Sequence, residues 1–180
     1  ELPQTPPQKP WLEGWFQSID LLKEAPDPRL KRYWLNLTDI DRLAPFAKDA
    51  RAGIFLPAMI GDAALKKTLK RLYDLGFRHI LCRNLGQIQP IIDAGMIPHG
   101  DFAFNAANTQ ALCVLQEQGL EDITLSYELT LQQIRRLPKP MPAGIIVYGR
   151  LPLMETENCI LKNIGGCKNK KGGALTDRTG

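Results

Sequence analysis

AGIFLPAMIGDAALKKTLKRLYDLGFRHILCRN, residues 52–84, decides the fold. Its first nine residues, AGIFLPAMI (52–60), form an apolar run of strand length. A long helical stretch, DAALKKTLKRLYDLG (62–76), follows and closes on Gly76, a residue suited to the left-handed helix cap. RHILCRN (78–84) then repeats the strand. The same rhythm extends in both directions. Upstream, RYWLNL (32–37) reads as a strand and DIDRLAPFAKDA (39–50) as a short helix. Downstream come the helix LGQIQPIIDAG (85–95), the strand IPHGDFAFN (97–105), a helix over 106–119, the strand DITLS (122–126), the helix LTLQQIRRL (129–137) and the strand GIIVYG (144–149).

Strands alternating with helices across short loops require parallel pairing, because each crossover is too long for a hairpin and the right length for one helix. The expected fold class is therefore α/β, built from parallel βα repeats with strands adjacent in chain order. Two closures fit: an open doubly wound sheet, or part of an eight-stranded barrel. The chain has no glycine-rich phosphate turn of the dinucleotide-binding type, and the residues alone slightly favour the open sheet. Either way, an exposed edge is expected near residues 32–37, and such an edge invites pairing with a second copy into a homodimer.

Outside the repeats, the chain opens on ELPQTPPQKP, which reads as the flexible lead of a piece of a longer protein. Trp11, Trp15, Ile19 and Leu22 stand at helical spacing and predict a helix over 11–25, stopped by Pro26 and Pro28. The organisation expected is a Pro-rich lead and helix (1–28), a parallel α/β domain (29–151) and a Cys-, Gly- and Lys-rich extension, cut short, over 152–180.

Composition excludes some classes. A chain of 180 residues, 44% hydrophobic, suffices for one domain with a real core. The net charge of +4 is mild and fits solvated surface charge better than a dedicated nucleic-acid face. No apolar run reaches bilayer length and the N-terminus lacks a signal-peptide pattern, so a soluble, cytoplasmic protein without a membrane partner is expected. Four cysteines in a chain this long and apolar do not make a disulfide scaffold.

In parallel α/β folds the residues just past strand C-termini converge on one rim, where chemistry is done. Asn105, Asn108, Ser126, Glu128, Tyr148 and Arg150 fall there, with Arg83 and Asn84 as weaker candidates after RHILC. One of the two asparagines is expected to cap the following helix, leaving the other for a ligand carbonyl or hydroxyl. Glu128 can serve as a general base or anchor an amine; its plainer explanation is the positive end of a helix. Arg150 can bind a carboxylate or phosphate through its guanidinium fork, or satisfy Glu128 in a salt bridge. Cys159 and Cys167 are soft ligands of the kind that hold zinc or an iron–sulfur cluster, but two ligands are too few. Cys82 and Cys113 read as packed thiols. His79 and His99 lack any metal-ligand spacing or nucleophile motif and read as structural.

FNAANTQALCVLQEQGLEDITLSYELTLQQI followed by VYGRLPLMETENC resembles the C-terminal part of the catalytic domain in the collagenase-like peptidases, family 32 of the peptidases of unassigned catalytic type. The motifs that carry the resemblance are Asn105 with Asn108, Leu125–Leu129 and Tyr148–Met154, the last in the form of a GRLPLM subgroup. The likeness spans about residues 30–180 and implies an incomplete TIM-like barrel, which tips the closure question. It also implies peptide-bond hydrolysis, with Glu128 and Arg150 as the catalytic pair and Asn105, Asn108, Arg83, Asn84 and Tyr148 lining a peptide site. Other members of the family are iron–sulfur enzymes that hydroxylate RNA or small molecules, in which Cys159 and Cys167 would be two of the cluster ligands. Gly144 and Pro152 stand where the family usually has a glutamate and a cysteine, which also leaves room for a non-catalytic binding domain.

Overall fold

The computed structural model describes residues 5–6, 9–22, 26–37 and 40–152. Two compact units divide the chain, Glu1–Ile146 and Val147–Gly180. In the first unit, seven strands form one parallel sheet in strict chain order: β1 (Leu12–Phe16), β2 (Leu30–Asn36), β3 (Ala52–Phe55), β4 (His79–Cys82), β5 (Ile97–Gly100), β6 (Ile123–Thr124) and β7 (Ala143–Gly144). Between them lie α1 (Ile40–Leu43), α2 (Asp62–Leu75), α3 (Ile88–Asp93), α4 (Thr109–Glu117) and α5 (Leu131–Arg136). The βα rhythm read from residue 30 onward is reproduced.

Chain order without a switch point places every right-handed crossover on the same face, and that face holds the core. Tyr33, Leu35, Ala52, Ile54, Ile80, Cys82 and Ile123 alternate outward from the strands and are buried against Leu65, Leu69 and Leu72 of α2, Ile88 and Ile91 of α3, and Leu112 and Leu115 of α4. Burying the three α2 leucines stabilises the fold by roughly 5–9 kcal/mol before ordering costs are counted. Gly76 ends α2 at φ 115°, and its N–H donates to the carbonyls of Leu72 and Tyr73, as expected of the cap.

The other face is concave. Flat, β1 and β5 would lie about 19 Å apart across four strand spacings. Yet Trp15 of β1 stacks on Phe102, just past β5, with ring centroids 5.7 Å apart. Arg32 of β2 likewise reaches Asp122 beside β6. The sheet is thus a curled half-barrel, an incomplete TIM-like α/β barrel, and the open doubly wound alternative does not hold.

Three expectations need correction. The helix read over 11–25 is a strand, β1, followed by a short 3-10 turn at Ile19–Leu21. A spacing of four residues, as from Trp11 to Trp15, puts side chains on one face of a strand as well as of a helix, because four is a whole number of two-residue repeats. β1 pairs in parallel with β2, so residues 32–37 are interior and not the sheet edge. The final strand is also shorter than GIIVYG: it covers Ala143–Gly144, and Val147 begins the second unit.

Candidate functional site

Along the carboxy-terminal rim of the first unit, the expected asparagine pair divides its labour. Asn108 accepts a hydrogen bond from the Ala111 N–H at 2.8 Å and caps α4. Asn105 takes the left-handed conformation, φ 49°, closing the 3-10 turn Phe102–Phe104; its side chain is exposed and makes no hydrogen bond among the described residues. Glu128 is exposed as well, with its backbone N–H donated to the Ser126 hydroxyl at 3.3 Å. The cap of α5 is Thr130, in a reciprocal box with Gln133, so Glu128 is not needed to start that helix.

Arg83 is held more tightly. Its Nε donates to Asp101 Oδ2 at 2.7 Å, and the Asp101 side chain is 2% exposed. The other carboxylate oxygen of Asp101 accepts from the Phe102 N–H, which fixes both groups at the end of β5. Asn84 donates to the Ala58 carbonyl at 2.6 Å and ties two rim loops together. Phe102 stacks on Trp15 and meets Tyr127 edge to face at 5.6 Å, while Tyr127 stays 48% exposed. The rim thus combines an aromatic row, the guanidinium of Arg83 fixed by Asp101, the exposed amide of Asn105 and the exposed carboxylate of Glu128.

Tyr148 and Arg150 belong to the second unit, where both are exposed. Cys159 and Cys167 lie outside the described residues. Cys82 is buried, donates to the His99 carbonyl at 3.2 Å, and has its pKa pushed up to about 12, chiefly by burial, which makes it an inert packing thiol. Among the described residues no group of three or more His, Cys, Asp or Glu side chains can hold a metal ion.

A second polar cluster, not anticipated from the sequence, fills the amino-terminal half of the concave face. Asp122 Oδ1 lies 2.8 Å from His99 Nδ1, and His99 Nε2 lies 3.0 Å from His79 Nδ1. Arg32 Nη1 reaches Asp122 at 3.3 Å, His99 at 3.2 Å and Glu13 at 3.4 Å. Glu13 also accepts the indole N–H groups of Trp11 and Trp34. Burial opposes the charge on Asp122, but the hydrogen bond from His99 and the Arg32 charge outweigh it and hold its pKa below the usual carboxylate value. His79 is lowered to about 4 by burial, by Arg32 and by His99. The available signal was strand alternation: Ile80 and Cys82 face the helices, so His79 must face inward with its neighbours' inward residues.

The sequence model of peptidase family U32 matches residues 29–176. The chain belongs to peptidase family U32. The solved structure of the U32 peptidase Mk0906 superposes with a TM-score of 0.56 over 79% of this chain and 71% of that one, at 13% identity, a likeness of fold alone. No curated protein sequence matches. A U32 assignment agrees with the half-barrel. No described helix is long and apolar enough to cross a membrane.

Proposed function

We propose that this U32 domain hydrolyses peptide bonds at the carboxy-terminal rim, with Glu128 as the general base. The observation that carries the reading is an exposed carboxylate at a strand-to-helix junction, free of any capping duty and unpaired among the described residues. Its carboxylate takes a proton from water as that water attacks the peptide carbonyl. Arg83, kept in place by Asp101, supplies positive charge to the developing oxyanion. The Asn105 amide holds a neighbouring peptide group, and the row Trp15, Phe102 and Tyr127 accepts an apolar side chain. The free thiols of Cys82 and Cys113 suit a reducing, cytoplasmic setting.

The test is cleavage of gelatin and casein by the full-length protein. Glu128→Gln is expected to lower kcat by about a hundredfold or more, the usual worth of a positioned base, without moving the melting temperature. Full activity in Glu128→Gln would remove the general base from the proposal.

A further inference from the structure

The chain has two histidines, and the structure joins them in one hydrogen-bonded line with Asp122. Proton positions along that line follow from its fixed end. An ionised carboxylate only accepts, so His99 Nδ1 carries a hydrogen and donates it. In that Nδ1–H tautomer the opposite nitrogen of the wholly buried His99 ring, Nε2, is a lone pair. That lone pair accepts from His79 Nδ1–H, which leaves the other nitrogen of His79, Nε2, unprotonated. His79 is only half-buried, and among the described residues no donor or acceptor reaches its Nε2.

We propose that His79 Nε2 is a nucleophilic site at the amino-terminal end of the half-barrel, one that takes an acyl group from an activated carbonyl compound, with His99 and Asp122 as its proton relay. In that step the Nε2 lone pair forms a bond to the carbonyl carbon. The bond from that carbon to the leaving oxygen breaks, and the oxygen departs with the electron pair. The Nδ1 proton of His79 passes to His99 Nε2, where the Asp122 carboxylate balances the charge, and leaves a neutral acyl-imidazole. The low pKa of His79 keeps its lone pair available through the whole neutral range. Charged groups facing the ring are Arg32 from β2 and Asp122 beside β6, with Glu13 of β1 holding Arg32 from the far side. The site lies at the opposite end of the strands from the proposed peptide rim and stands independently of it.

Diethylpyrocarbonate is the probe. On the full chain, peptide mass mapping is expected to find the ethoxycarbonyl group on His79 and none on His99. Nitrogen-15 NMR of the two rings is expected to show His79 as the Nδ1–H tautomer. Asp122→Asn, which can donate to His99 and reverse the relay, should slow modification of His79 about tenfold or more, since a wrong imidazole tautomer is costly to a nucleophilic relay. Circular dichroism checks that the variant is folded. If it does not fold, the wild-type tautomer and the site of modification decide. An Nε2–H tautomer at His79, modification of His99 first, or an unreactive His79 in the folded chain would each overturn the proposal.

Discussion

The two ends of the concave face are built on opposite plans. Toward the strand N-termini, Glu13, Arg32, His79, His99 and Asp122 are linked to one another, with Trp34 buried beside His99 and donating to Glu13. Toward the C-termini, Asn105, Tyr127 and Glu128 project outward from the turns that follow β5 and β6. The first arrangement spends polar groups on curling the sheet, because its contacts cross from β1 and β2 to β5 and β6. The second leaves polar groups for something outside the fold. Barrel-type α/β proteins commonly do their chemistry at the second end; here the first end adds the proposed His79 site to its stabilising role.

Removing Arg32 is the largest expected break in that contrast. Arg32→Ala leaves Asp122 and Glu13 without their shared cation in a mostly buried setting, and should cost about 3–5 kcal/mol in urea denaturation. A cost comparable to that of an ordinary surface arginine would show the cluster to be incidental. Gly53 tests the same end by shape. A Cβ there would lie 2.3 Å from the Trp34 ring and 3.1 Å from the His79 carbonyl, so Gly53→Ala should destabilise by about 1–3 kcal/mol through overpacking. A crystal structure in which the indole simply turns aside, with stability unchanged, would count against the tight fit.

Acid sharpens the comparison next. The folded pKa of His79, about 4, lies below the usual 6.5, so between those values the unfolded chain binds a proton that the folded one refuses. Stability is unaffected above about pH 6.5 and falls as the pH drops toward 4. Asp122 acts in the next window: its pKa is lowered from 3.8, so its contribution is present above that value and lost as the pH falls through the folded one. His79→Gln should flatten the denaturation profile between pH 6.5 and 4; an unchanged slope there would mean that another group carries it. The smallest effect belongs to the rim. Asn105→Ala must force a Cβ-bearing, non-amide residue into φ 49° and should cost about 1 kcal/mol, while Asn105→Gly should be near neutral in thermal melts. Equal melting temperatures for the two would show that the turn relaxes.

Much of this fold was legible from residue 30 onward, because α2 and its flanking strands differ so sharply in period. β1 was not, since its five residues follow Trp11 and include Trp15, at a spacing that serves either period. At the rim, the capping role of Asn108 follows from local chemistry and could be read. The His79–His99–Asp122 line could not, since its members are 20 and 23 residues apart and meet only when β4, β5 and the residue before β6 are brought side by side.

Trp34 has no measurable solvent exposure, and its ring centre lies 5.1 Å from that of His99. An indole in so dry a place emits toward the blue, and water reaching it on unfolding moves that emission to the red. The glycine that makes room for the ring has therefore placed an optical reporter inside the half-barrel. Its blue-edge emission, followed as denaturant is raised, records when the amino-terminal end of the concave face opens, without any label.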